Sequence, residues 1–443
     1  MNIQLSDHFT YKKLIRFTIP TVLMLVFTSI YSIVDGFFVS NYVGETPFAA
    51  QNLIWPFVQI LSAIGFMMGA GGSAVIGKTL GEGNSKKANE YFSMVVIVTA
   101  VLSFVLSAIG IANIREIAII MGSDESMLEY CMSYGSILLS GIFVYTLQIL
   151  FQTLMITAGK PRLSFYITLA SGLTNIVLDY VVVGVWGWGL NGAGYATVAS
   201  EIVGAVVPIF YFTIKNDSLL RFGKPRFDFK VLLKIFGNGS SELVSNISAS
   251  VVSIVFNLEL MKYLGQNGVS AYGVMMYISF VFFAIFFGYC MGSAPIVSFH
   301  YGAKNREEIR NLFKKSIILV GGAGVFMSVV AFIFARPLTM IFVGYNEELL
   351  NMTTYGSKIM VACFIFSGFN FFASSFFTAL NNGLISALIS FMRTMVFQIV
   401  SVVVMAELFG VDGIWWSMTV AEFLSLIFAS FFIVKYRKKY GYI

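Results

Sequence analysis

An all-α membrane protein is predicted, with twelve transmembrane helices in two six-helix lobes related by a parallel pseudo-two-fold repeat. Three observations carry this. Of 443 residues, 58% are hydrophobic and 11% charged, with a mean hydropathy of +0.83, whereas soluble domains carry about 25% charged residues. Twelve apolar runs are long enough to cross a hydrocarbon core of roughly 30 Å as helices. The chain also resembles itself at a shift of 221 positions. Short alternating segments of the kind a β-barrel needs are absent from the sequence.

The runs fall at 14–39, 53–77, 91–112, 130–157, 163–186 and 190–214, and again at 231–263, 269–299, 313–334, 354–380, 384–408 and 414–436. No loop is long enough for another domain; the longest is the link 215–230. The predicted division is an N-lobe at 1–214, that link, and a C-lobe at 231–443, so function must lie within the bundle. Cys131, Cys290 and Cys363 have no ligand or disulfide spacing and read as small apolar fillers. Neither redox nor zinc chemistry is indicated, and no cofactor is expected. The apolar run after Lys12, Lys13 and Arg16 is too long for a signal-peptide core and lacks a small-residue cleavage site, so it is expected to stay as the first span.

Positive charge sets the expected orientation. Lys12, Lys13, Arg16; Lys78, Lys86, Lys87; Lys160, Arg162; the basic residues of the link; Lys304, Arg306, Arg310, Lys314, Lys315; and Lys435, Arg437, Lys438, Lys439 all fall on one side. The other side has Arg115, Lys262 and Arg336, while Lys358 and Arg393 lie inside helices. Both termini are therefore expected in the cytoplasm. The net charge of +6 follows from topology, and the basic runs read as contacts with anionic lipid rather than with nucleic acid.

The repeat supports the two-lobe reading. Gly44 meets Gly265, Gly81 meets Gly302, Asn84 meets Asn305 and Arg115 meets Arg336; "GLNGAGYATVASE" from Gly189 lies over "GVDGIWWSMTVAE" from Gly410, so that Glu201 meets Glu422. Six helices is an even number, so both copies insert the same way up, a parallel repeat of the kind found in transporters. Duplication also separates shape from chemistry. Glu201 and Glu422 are twins, and a structural hydrogen-bonding role is expected of both. Asp35, Asn175, Asp179 and Thr197 instead have Phe256, Val396, Val400 and Met418 at their twin positions. A scaffold need would recur in both copies, so this one-sided polar set is the better candidate for function.

Intramembrane acids are costly, roughly 2.5–3.5 kcal/mol on insertion scales, and mark functional sites by default. Asp35 lies about 30 Å along the first helix and Asp179 about 24 Å along the fifth, at 1.5 Å per residue. Asn175 and Asp179 share a helix face by their i, i+4 spacing. Two carboxylates close together in low dielectric cannot both ionise cheaply, so they are expected to take a proton or share a small cation such as Na+. Of the remaining charges, Glu259 and Lys262 read as a surface pair. Arg393, whose twin position holds Gly172, is expected to snorkel, to pair with an acid or to meet substrate. His300 is expected at the membrane interface.

Taken together, "IP" at Ile19 and Pro20, the acid in "SIVDGFFVSNYVG", "TNIVLD" followed by "GAGYAT", and the twelve-helix repeat resemble the MATE family, the multidrug and toxic compound extrusion transporters. The resemblance spans nearly the whole chain. It implies a cation or proton site at Asp35, Asn175, Asp179 and Thr197, with Pro20 letting the first helix bend. The family's other coupling site, in the C-terminal lobe, lacks its tenth-helix acid here, where Asn370 stands, and Glu242 is too near the end of its helix. The implied function is a secondary antiporter, not an enzyme, that exports organic cationic compounds in exchange for H+ or Na+ across a bacterial-type plasma membrane, working as a monomer. The 45 Phe, 21 Tyr, 5 Trp and 21 Met could line an adaptable cavity for lipophilic cations. The nearest alternative is a lipid-linked oligosaccharide flippase of the same superfamily, which should need several cavity arginines where only Arg393 is on offer. An intramembrane aspartyl protease is disfavoured, since Asp179 precedes Tyr180 and Asp35 precedes Gly36 rather than following them.

Overall fold

A computed structural model describes residues 3–443, except for the side chain of Glu45. The N-lobe comprises α1 (Tyr11–Tyr42), α2 (Glu45–Gly81), α3 (Ser85–Ala112), a short α4 (Ile114–Ile120), α5 (Glu125–Thr157), α6 (Pro161–Leu178) and α7 (Gly189–Thr213). A π-helical turn, Asp179–Val185, extends α6. The C-lobe follows as α8 (Phe229–Gly302), α9 (Arg306–Ile333), a short α10 (Ala335–Val343), α11 (Glu347–Met360), α12 (Phe364–Ala379), α13 (Gly383–Phe391) and α14 (Phe397–Tyr440). A second π-helical turn, Met392–Val396, joins α13 to α14.

Ten continuous helical stretches of the described chain are long and apolar enough to cross a membrane. Two of them are each two spans. α8 breaks at Gly265 (φ 62°) and α14 at Gly410 (φ 60°), left-handed values that favour glycine. Twelve spans result, as predicted, and the breaks fall at the twins of Gly44 (φ 123°) and Gly189 (φ 61°). Other turns repeat as well. Asn84 caps α3 by accepting from the Lys87 N–H at 3.1 Å, and its twin Asn305 caps α9 by accepting from the Glu308 N–H at 3.0 Å, each satisfying one orphan donor of the first turn. The connectors α4 and α10 are also twins. Their seven and nine residues are too short to announce themselves against the long apolar runs.

Both termini and the link 215–228 lie at one end of the bundle, here the termini face. There the lobes pack backbone to backbone through glycine. A Cβ on Gly81 would lie 1.9 Å from the Phe299 carbonyl oxygen, and one on Gly302 would lie 1.9 Å from the Lys78 carbonyl oxygen. Lys78 and Phe299 are themselves twins, so the contact is reciprocal, as a pseudo-two-fold axis along the membrane normal requires. Further up, Gly71 meets Ile235 and Gly239 meets Met67 in the same way. Among the described residues, every side-chain hydrogen bond between the lobes belongs to this half of the bundle. Asn381 Nδ2 donates to the Ala74 carbonyl at 3.0 Å, and the remainder tie the segment before α1 to α9.

That segment is docked on the opposite lobe. Leu5 and Phe9 are fully buried. The Phe9 N–H donates to Glu308 Oε1 at 2.9 Å, and His8 Nδ1 lies 2.6 Å from Glu308 Oε2. Asn311 Nδ2 donates to the Phe9 carbonyl at 2.9 Å, and Lys315 Nζ bonds the same oxygen at 2.7 Å. His300, expected at the interface, is buried close to this end instead, with neither ring nitrogen hydrogen-bonded. The segment before α1, with Leu5 and Asp7 beside the ring, covers it from water.

Candidate functional site

The N-lobe polar residues come from three helices that small residues allow to approach. Gly172 on α6 faces α1 so closely that a Cβ there would sit 2.5 Å from Phe27 Cε1. Gly192 and Gly194, from the GAG of "GLNGAGYAT", let α7 close on Val182 and Tyr134. Ser171 Oγ donates to the Ser200 carbonyl at 2.6 Å and fixes α6 against α7. The outcome is that α1, the end of α6 and α7 are drawn together around the polar residues they carry.

Asp179 opens the π-helical turn, the kind of local widening found often at functional sites. It is 0% exposed, and neither of its carboxylate oxygens has a hydrogen-bond donor. One turn earlier Asn175, 2% exposed, likewise has neither amide atom satisfied. The Asp35 carboxyl is a neighbour of Asp179, though no hydrogen bond joins the two. Its Oδ2 accepts from Gln51 Nε2 at 2.7 Å, while Oδ1 is buried and unpartnered. Thr197 is half-buried on α7, and no hydrogen bond joins its hydroxyl to the carboxyls; only its carbonyl is engaged, by Ser200 Oγ at 2.7 Å. Pro20 is buried within an otherwise continuous α1, where it deprives one carbonyl of its helical partner.

Unsatisfied buried polar atoms are uncommon and each needs a reason. Here five of them belong to Asp35, Asn175 and Asp179. Two carboxyls and an amide that face one another with spare acceptors can share one proton between the acids or surround a small cation, and either would remove the deficit. Among the described residues, no group of three or more His, Cys, Asp or Glu is arranged to hold a metal ion.

The C-lobe equivalent is closed. Glu422, 1% exposed, is gripped by Arg393, whose Nε and Nη2 donate to Oε1 at 2.9 and 2.8 Å. Asn370 Nδ2 adds a bond to Oε2 at 2.6 Å. The guanidinium lies 3.7 Å over the Phe371 ring, where cation–π attraction adds to the ion pair. Arg393 thus pairs with an acid and neither snorkels nor stands free. Glu201 is buried too, at 7% exposure, yet it makes no hydrogen bond among the described residues. The expectation that the twins play one structural role is therefore corrected: only Glu422 has the partners for it, because Gly172 and Ile149 stand where Arg393 and Asn370 do. Glu259 and Lys262 do form the expected pair, at 3.9 Å. Gln51 was not picked out from the sequence; a glutamine near the end of a long apolar run gives no sign of which helix it will meet.

Two lobes related by a two-fold axis, meeting through small residues, with unpaired acids inside one of them, define a membrane transporter rather than an enzyme. Comparison with known proteins agrees. The MatE family model matches residues 20–181 and 243–404, one segment in each lobe, and the chain belongs to the MatE family. The multidrug export protein MepA of Staphylococcus saprophyticus is 25% identical over 435 residues, covering 97% of this chain and 94% of that protein. MepA of Staphylococcus aureus strain N315 is 24% identical with the same coverage. A solved structure described as the outward-facing conformation of a multidrug resistance MATE family transporter of the MOP superfamily superposes with a TM-score of 0.94 at 19% identity, covering 100% of this chain and 99% of that one.

Proposed function

We propose that this protein is a secondary antiporter that exports organic cations in exchange for H+ or Na+, by alternating access between an N-lobe at 1–214 and a C-lobe at 231–443 joined by the link 215–230. The observation that carries the reading is the unpartnered, fully buried Asp179 carboxyl beside Asp35. Either coupling ion would neutralise that site, with Asn175 and Thr197 offering neutral oxygens. The site's charge changes when the ion binds or leaves, and a substrate that prefers one charge state is thereby coupled to the gradient. Movement of α1 about Pro20 is the expected mechanical response. The relatives' naming as multidrug export proteins supports organic compounds as cargo.

Orientation follows from the basic loops, which place the termini face in the cytoplasm and expose it to anionic lipid. On that reading the glycine seal closes the cytoplasmic side of the bundle. A monomer suffices, since both lobes lie in one chain. The flippase alternative loses its one candidate residue, because the Arg393 guanidinium is committed to Glu422. The test is efflux of a fluorescent organic cation from vesicles with proton and sodium gradients imposed separately. Efflux driven by neither gradient would sink the proposal.

A further inference from the structure

We propose that Glu201 is a third cation-binding acid of the N-lobe, taking up and releasing one positive charge per cycle; this rests on the N-lobe coupling proposed above. The two lobes keep a buried glutamate at the same position, and they neutralise it differently. In the C-lobe the positive charge is built in, as Arg393 at 2.8–2.9 Å. In the N-lobe neither partner position survives. Gly172 replaces the arginine and is packed against Phe27 and Tyr31, so no side chain fits there; Ile149 replaces the asparagine.

The groups that face Glu201 supply no cation. They are Tyr31 and Asp35 on α1 and Tyr134 and Tyr145 on α5. The basic residues of the N-lobe stand at or beyond the ends of its spans. A buried acid without a counter-charge does not stay ionised, so Glu201 holds a proton or shares a small cation that comes from outside the fold. Asp179, fully buried with neither carboxyl oxygen partnered, shows that this part of the lobe is short of positive charge. Glu201 lies one turn of α7 beyond Thr197, about 6 Å deeper towards the termini face. It is therefore placed to receive the ion after Asp35 and Asp179 and before the seal. Arg393 is the permanent form of what visits Glu201 transiently.

The experiment measures the cation-to-substrate ratio from the reversal potential of tetraphenylphosphonium transport in proteoliposomes, under proton and under sodium gradients. Glu201→Gln should lower the ratio by one, and Glu201→Asp should restore it. An unchanged ratio in Glu201→Gln would overturn the inference. Asp179→Asn runs alongside: loss of coupling there with an unaltered Glu201→Gln removes only the role of Glu201, whereas wild-type coupling in Asp179→Asn removes the N-lobe site itself. Should Glu201→Gln fail to insert, carbodiimide labelling of the wild-type protein decides. Glu201 should be labelled, more strongly as pH falls if it carries a proton and less strongly in Na+ if it carries that ion, while Glu422 stays unlabelled; labelling at Glu201 that is absent, or indifferent to both pH and Na+, refutes the proposal.

Discussion

The two lobes share a glutamate, a helix order and a set of turns, and they differ in what surrounds the glutamate. Around Glu422 stand an arginine, an asparagine and a phenylalanine ring, all in contact. Around Glu201 stand tyrosines and a further acid. The duplicated chain thus diverged by replacing the polar residues around a shared glutamate, and with them its partners. Identity at a repeated position says that both lobes tolerate the residue; only the neighbours say what it does. Glu422 is neutralised within its own lobe, and Glu201 has no built-in partner of that kind.

Breaking that contrast should have its largest effect at Asp179. Asp179→Asn keeps the shape of the side chain, removes its charge, and should abolish gradient-driven efflux while the protein remains inserted; vesicle efflux normalised to protein amount checks this. Next comes Arg393→Met, which strands Glu422. Leaving one member of a buried pair costs about 3–5 kcal/mol, and a lower thermal midpoint in detergent should report it. The double variant Arg393→Met, Glu422→Leu should recover most of the loss, since apolar replacement of a whole pair is often neutral. A double variant no better than the single would mean that Arg393 matters for more than Glu422. Gly302→Ala tests the symmetric seal. Its Cβ cannot sit 1.9 Å from the Lys78 carbonyl, so the lobes must part, and spin labels at Lys86 and Arg310 should move apart without loss of folding. The smallest effect is expected at Asp217→Asn. Lys160 Nζ, 2.7 Å away, holds the Asp217 carboxyl below its usual range, so the pair contributes above that range and is lost as pH falls through it. Asp217 is 74% exposed, and solvent screening should leave the midpoint at neutral pH unchanged within error.

Twelve spans and their pairing into lobes were legible because the signals are long and repeated: apolar runs of membrane length, and glycines at twin positions, whose missing Cβ permits the left-handed φ found there. Asp35, Asn175 and Asp179 were legible because a polar group in an apolar run has few innocent explanations. Thr197 was grouped with them because Met418 stands at its twin position, and its hydroxyl does not reach them by a hydrogen bond in this conformation. The pairing of Arg393 with Glu422 was not legible. It joins residues 29 apart in sequence, and three fates for the arginine were open until the helices were placed. Nor could sequence show that Glu201 lacks partners, since that depends on Phe27 and Tyr31 filling the space above Gly172.

The docking of Leu5 and Phe9 onto α9 bears on timing. These residues precede a helix of one lobe and are clamped by the other, so parting the lobes at this face must pull two apolar side chains out of a dry site and strip Glu308 of the Phe9 N–H. On the alternating-access proposal, such a clasp would add to the height of the barrier between the two states without touching the ion or the cargo. Residues 5–9 would in that sense act as a brake.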